Sequence, residues 1–300
     1  MKPVELFQTI LCPVDFSGNS RHALQYAALL ARRTDGRLIA LFVEDPLLAA
    51  ASAGMGVSET TQVQLGRFVE RATAPFGLRG GALTWQTGEG EPHKEIVAAA
   101  RRHRCQLIVM GTNGNTGAAK LMVGSTTERV LRSAPVPVLA IPPPAASAAV
   151  SRAWPGKHAL APVELGRRLR HDIGMASEAA TALGTGLALV HVVPPRDRAQ
   201  LLKARAQLDR TVQDLKLETV VSGHVLAGKP AEQIAAMAAE TGVDLVIITR
   251  RRGKGLFGPA LGSISYQLLC SARTPVLALP STRAWHPRAN HASPPRRRAG

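Results

Sequence analysis

The chain has 300 residues, of which 45% are hydrophobic and 19% charged, and its formal net charge is +16. That composition suits a globular protein long enough for two domains and excludes a mainly disordered chain. No apolar run reaches the roughly 18 residues that cross a membrane, and aromatics, at 4%, are too scarce for base-stacking platforms.

The opening MKPVELFQTILCPVDFS carries one Lys before a short apolar run that Asp15 interrupts, so a secretory leader is not expected. Thr9–Val14 reads as a buried strand, and Ser17 as the N-cap of a helix running to Thr34. Arg37–Val43 is a second strand. Ser58 to Phe76 is helical, with Gly77 ending it. Ala82–Thr87 is a third strand, and Pro92–His103 a helix with Pro in its first turn and Ile96 and Val97 inward. Gln106–Met110, Ser125–Ser133 and Val136–Ile141 follow as strand, helix and strand. Continuous apolar strands alternating with helices predict an α/β fold with a five-stranded parallel sheet covered on both faces. Such sheets bind ligands at the carboxyl ends of their strands, here 13–17, 43–46 and 110–126.

The series then repeats. GEPHKEIVAAARRHRCQLIVMGTNG at 90–114 aligns with GKPAEQIAAMAAETGVDLVIITRRR at 228–252, an offset of 138 that continues through Gly124-Ser125 onto Gly262-Ser263. Upstream the offset is 149, placing Pro13-Val14-Asp15 on Pro162-Val163-Glu164. The difference of 11 residues is assigned mainly to the stretch Leu47–Val57. The expected layout is therefore a domain over 1–141, a linker over 142–156, a second domain over 157–280 and a tail over 281–300. The Pro- and Ala-rich linker reads as semi-extended. Predicted elements of the second domain are 157–163, 167–184, 187–193, 196–216, 218–224, 230–241, 244–249, 264–271 and 275–280.

Positive charge is spread over these parts. Residues 1–141 carry 15 basic and 11 acidic side chains, residues 142–280 carry 17 and 10, and the tail has five Arg and no acid. The tail reads as disordered, and nucleic acid is not the expected main ligand. Cys12, Cys105 and Cys270 are far apart and set in apolar sequence, as buried thiols of a reduced compartment such as the cytoplasm.

The stretch after the fourth strand carries the chemistry. Gly111 and Gly114 permit tight, positive-φ turns and close backbone approach. Gly124-Ser125-Thr126-Thr127 opens a helix whose N–H groups and hydroxyls would suit a phosphate. A plain reading also stands: two strand-terminating glycines and a capping serine. The spacing Gly111-x2-Gly114-x9-Gly124-Ser125 resembles the glycine signature of the nucleotide-binding branch of the universal stress protein family. Ile10-Leu11-Cys12-Pro13-Val14-Asp15-Phe16-Ser17 with Ala23-Leu24 is similar to that family's start, and Ser133-Ala134-Pro135-Val136-Pro137-Val138-Leu139 to its end. The resemblance covers nearly all of 5–280, as a tandem of two such units.

It implies two tandem Rossmann-like domains of the adenine nucleotide alpha hydrolase type, and ATP as ligand; separately, Asp15 with Glu44-Asp45 could hold a divalent ion such as Mg2+ beside the phosphates, though the spacing does not demand it. Pro13, Val14 and Asp15 would line the adenine and ribose pocket, Asp15 accepting from a ribose hydroxyl. Val43 would offer backbone bonds to adenine. Met110 and Gly111 would flank the ribose, and Gly114, Gly124, Ser125, Thr126 and Thr127 would hold phosphates. Asp15 also reads as a helix-capping acid, and Val43 as plain core.

The second unit departs from this pattern. Thr249 and Arg252 replace the two glycines, and Glu164 replaces Asp15. Arg250, Arg251, Arg252 and Lys254 read as a solvated basic loop. No HExxH, CxxC, GxSxG or Walker sequence occurs, and His22, His93 and His103 read as surface or cap residues. The expected function is an ATP-binding stress protein, a ligand-dependent regulator with a regulatory protein partner. A slow ATP hydrolase and a basic scaffold for nucleic acid or acidic partners remain as alternatives. Val136–Ile141 and Val276–Leu279 read as apolar edge strands that need covering. Pairing between the two units as a pseudo-dimer, or homodimerisation, would cover them.

Overall fold

The structure, a computed structural model, describes residues 6–44, 60–78, 80–113, 123–144, 150–195, 198–250, 264–271 and 273–280. The first half runs β1 (Thr9–Val14), α1 (Gly18–Arg33), β2 (Arg37–Glu44), α2 (Thr61–Thr73), β3 (Leu83–Glu89), α3 (Pro92–Arg102), β4 (Leu107–Gly111), α4 (Ser125–Ser133) and β5 (Val138–Ile141). The second half runs β6 (His158–Pro162), α5 (Leu169–Leu183), β7 (Gly186–Val193), α6 (Arg198–Leu215), β8 (Val220–Ala227), α7 (Pro230–Thr241), β9 (Leu245–Thr249), α8 (Ile264–Ser271) and β10 (Val276–Leu279). Over the described residues the predicted series holds, with ends matching or shifted by up to three residues; the expected helix starts at Ser58 and 196 lie outside them. The helix expected to Phe76 leaves α geometry at Thr73 and finishes as a 3-10 turn closed by Gly77 at φ 69°.

Each half is a parallel five-stranded sheet, ordered β3-β2-β1-β4-β5 and β10-β9-β6-β7-β8. The two sheets join into one of ten strands through an antiparallel pair between β5 and β10, with Val276 opposite Ala140, Leu277 opposite Leu139 and Ala278 opposite Val138. The two apolar edges thus cover each other.

Side-chain alternation explains the layers. In β1, Ile10, Cys12 and Val14 join the core under α1, α2, α5 and α6, while Leu11 joins the opposite core under α3, α4, α7 and α8. Both cores draw residues from both halves. Among the described residues, no helix is long and apolar enough to cross a membrane. The matched turns before α3 and α7 each hold a glycine in the left-handed region, Gly90 at φ 114° and Gly228 at φ 146°. The repeat keeps glycine there because other residues would be strained.

The linker reading is corrected at its second part. Residues 150–156 do not run extended: Trp154 is buried against both halves. Its ring meets Tyr26 of α1 edge-on, with centroids 4.9 Å apart, and its Nε1 donates to Asp244 O at 2.8 Å. His22, read as a surface or cap residue, is also buried, edge-on to Tyr26. Desolvation pulls its imidazole below the ordinary value.

Cys12 and Cys105 are buried as expected, but Cys270 is half-exposed. Burial pushes the Cys12 thiol far above its ordinary range and Cys105 up to about 11. A thiol reagent is therefore expected to label Cys270 alone in the native protein, and all three only in denaturant; rapid native labelling at Cys12 would contradict this burial.

Candidate functional site

The strand order reverses between β1 and β4, so the loops after them diverge and leave a crevice at their carboxyl ends. A cavity of about 440 Å3 lies there, lined by Pro13, Val14, Asp15, Val43, Met110, Gly111, Gly124, Ser125, Thr126 and Thr127. Sequence reading selected every one of these. Gly114, the remaining predicted residue, lies outside the described residues.

The turn after β1 is built by polar bonds. Asp15 Oδ1 accepts from Ser17 N at 3.1 Å and Ser17 Oγ at 2.5 Å. Ser17 Oγ in turn accepts from Ser20 N at 3.0 Å and so caps α1. Asp15 therefore orders the cap through Ser17 while still lining the cavity. Phe16 between them adopts φ 61°, unusual for a bulky residue. Its ring is held by Phe42 and Phe68, with centroids at 4.7 and 5.4 Å.

At the other side, β4 ends at Gly111. Contrary to the positive-φ reading, Gly111 is a strand residue with extended backbone. Its need for glycine is close approach: a Cβ there would lie 3.3 Å from Asn113 O and 3.4 Å from Asn19 O. Gly124 N donates to Thr112 O at 2.7 Å, seating the start of α4. Gly124 has no side chain to cap α4, and among the described residues no side-chain cap bond is made there. The first-turn N–H groups of Ser125, Thr126 and Thr127 are thus left to the cavity. Ser125 and Thr126 add hydroxyls. Thr127 differs: its Oγ1 donates to Gly111 O at 2.8 Å, so its hydroxyl proton ties α4 to β4 and is not offered to a ligand.

Sequence reading missed Ser20, Leu41, Phe42, Pro92, Ile96 and Asn113, which also line the cavity. Leu41 and Phe42 precede Val43 on one strand end, and Ile96 lies one turn after Pro92. Their neighbours were legible, but their own apolar types signal only core. As for Mg2+, Asp15 is the one carboxylate among the described lining residues, and no described cluster of three His, Cys, Asp or Glu could hold an ion. The described residues do not make a metal site by themselves.

Among the described residues, the second half shows no equal arrangement. Glu164 is exposed, and His191 Nδ1 lies 2.9 Å from Val163 O at its would-be base. Arg250 corrects the reading of a solvated basic loop: it is buried, 6% exposed. Arg251, Arg252 and Lys254 lie outside the described residues.

Comparison with known proteins follows the same division. A universal stress protein of Mycolicibacterium smegmatis is 27% identical over 300 residues, covering 90% of this chain and 96% of that one. One from Methanocaldococcus jannaschii is 31% identical over 147 residues, 46% of this chain and 84% of its own. A solved universal stress protein from Archaeoglobus fulgidus shares the fold, with TM-score 0.64 and 19% identity over 92% of this chain and 98% of that one. The model of the universal stress protein family matches twice, over residues 6–142 and 157–280, and the chain belongs to the universal stress protein family.

Proposed function

We propose that the first half binds an adenine nucleotide, ATP foremost, in the cavity between β1, β2, β4 and α4. The observation that carries this is a convergence. Ten residues from four separate segments line one cavity, and its far wall is an uncapped helix start with two hydroxyls. Pro13, Val14, Val43 and Met110 supply the apolar end that a base needs, and Asp15 a carboxylate for a ribose hydroxyl. Gly111 lets the backbone come close, and Gly124, Ser125 and Thr126 receive phosphate oxygens. Gly114 completes the set from its place in the sequence.

The antiparallel β5–β10 pair supports reading the two halves as an intramolecular counterpart of a dimer, with 1–141 and 157–280 as domains joined by the linker. We read the protein as a cytoplasmic regulator whose partner senses the liganded state. Three cysteines without a disulfide support the compartment. Binding shifts which partner docks only through a difference in affinity between two states.

The test is direct. Protein purified without added nucleotide is denatured, and released small molecules are identified and counted by mass spectrometry. About one adenine nucleotide per chain, lost on Gly124→Leu, is the expected result. Nothing released, together with no heat on ATP titration, would overturn the reading. ATP consumed in step with binding would convert it to a slow hydrolase.

A further inference from the structure

The second half has Thr249 and Arg252 where the first has Gly111 and Gly114, yet it reaches into the first half at one buried cation. Arg250 follows β9 at the position that Thr112 holds after β4. The backbone match is close: Thr112 N donates to Ile141 O and Arg250 N to Leu279 O, both at 2.8 Å. The side chains diverge completely. Thr112 Oγ1 donates locally to Asn113 Oδ1 at 2.9 Å. Arg250 instead extends into the other half, where Nη1 donates to Leu131 O and Nη2 to Ala134 O at 2.8 Å and Val136 O at 3.3 Å. Those carbonyls are the C-terminal end of α4 and the loop leading to β5.

Three facts make this a clamp rather than an incidental contact. Burying a guanidinium is costly unless its environment is negative. Among the described residues no carboxylate pairs with Arg250, and its Nε has no hydrogen-bond partner. What faces it is the negative end of a helix, with three carbonyls in its fork. Burial lowers its pKa only to about 10, so it stays charged at neutral pH. Tyr266 and Cys270 of α8, also from the second half, pack beside Val123, directly before the start of α4. The second half therefore holds α4 near both ends.

We infer that Arg250 is a positioning residue for the phosphate end of the first half's cavity, acting through α4. The inference rests on the nucleotide reading above. α4 has nine residues and is about 13 Å long, short enough to tilt as a rod. Pinned at its C-terminal carbonyls, it presents the N–H groups of Ser125 and Thr126 in one place. A cation at one end and an anion at the other also favour the same helix dipole. The clamp runs one way, because Thr112 is too short to return it. The degenerate half thus becomes a fixture of the intact one.

The test compares ATP with adenosine by calorimetric titration, on the full chain. Arg250→Met is expected to weaken ATP about tenfold while adenosine stays within about twofold of wild type, since only the phosphate end is displaced. Arg250→Lys, which keeps the charge but not the fork, is expected between the two for ATP. ATP unchanged in either variant would overturn the inference. So would ATP and adenosine falling equally, the mark of a merely structural role. If the Met variant fails to fold, the Lys variant decides alone: ATP at least threefold weaker with adenosine unchanged supports the clamp. A wild-type chain that binds neither ligand removes the nucleotide reading, and the clamp's role in it, before any variant is compared.

Discussion

Trp154→Ala is expected to lower the unfolding free energy by about 3–5 kcal/mol, the range for emptying a buried Trp site. Trp154 sits in a segment that composition marks as a linker, so a neutral outcome would be the naive expectation. The packing says otherwise. The indole is 4% exposed, stands edge-on to Tyr26 and donates to Asp244 O. Its carbonyl accepts from Arg33 Nη1, and Arg33 Nη2 reaches Leu183 O at 3.4 Å. One residue thus touches the end of α1, the strand entry at 244 and, through Arg33, the end of α5. Collapse into the vacated space would need two halves to move at once, which favours the upper part of the range. Trp154→Phe separates the terms: it keeps much of the ring contact and loses the Nε1 bond, for a cost of about 1 kcal/mol. Denaturant unfolding of both variants is the measurement. A loss below about 1 kcal/mol for the Ala variant would show that 150–156 is a tether and not part of the core.

Why this wedge was illegible is a physical matter. The repeat, the strands and the cavity residues were read because each is a local pattern: an apolar run, a capping serine, a glycine beside a strand end. Site residues in such a sheet lie where strands stop, so strand ends pointed to 13–17, 43–46 and 110–126, and the family resemblance named Pro13, Val43 and Met110 within them. Trp154 has no periodicity around it, and its partners are at 26 and 244. Arg250 failed for the same reason. A run of basic residues resembles a solvated loop, and only a helix end more than a hundred positions upstream turns one of them inward. Of the two reasons read for Gly111, close approach fits the structure and a positive-φ turn does not. Its backbone is extended, and a Cβ there would press on Asn113 O at 3.3 Å and Asn19 O of α1 at 3.4 Å. The edges of β5 and β10 were legible as unpaired apolar strands that each other or a second chain would cover; which of these covers them is a property of topology, not of either segment.

Thr126→Glu should separate folding from ligand binding by moving them in opposite directions. Position 126 lies in the first turn of α4, whose capping residue offers no side chain and whose N–H groups face the cavity. A carboxylate there meets the positive end of the helix and is expected to stabilise the protein by about 0.3–1 kcal/mol. The same carboxylate would occupy the place proposed for phosphate. Like charges set side by side at a binding site cost several kcal/mol. At about 1.4 kcal/mol per factor of ten, ATP affinity should fall a hundredfold or more. Adenosine, which brings no phosphate, should bind within a few-fold of wild type. Thr126→Val is the matched control: it removes the hydroxyl but not the N–H groups, and should weaken ATP by only about tenfold, the value of one hydrogen bond to a charged group. Melting curves and titrations on the same preparations give both quantities. Should the Glu variant bind ATP as tightly as wild type, the phosphates do not lie on α4, and the start of that helix is a seat for the chain alone.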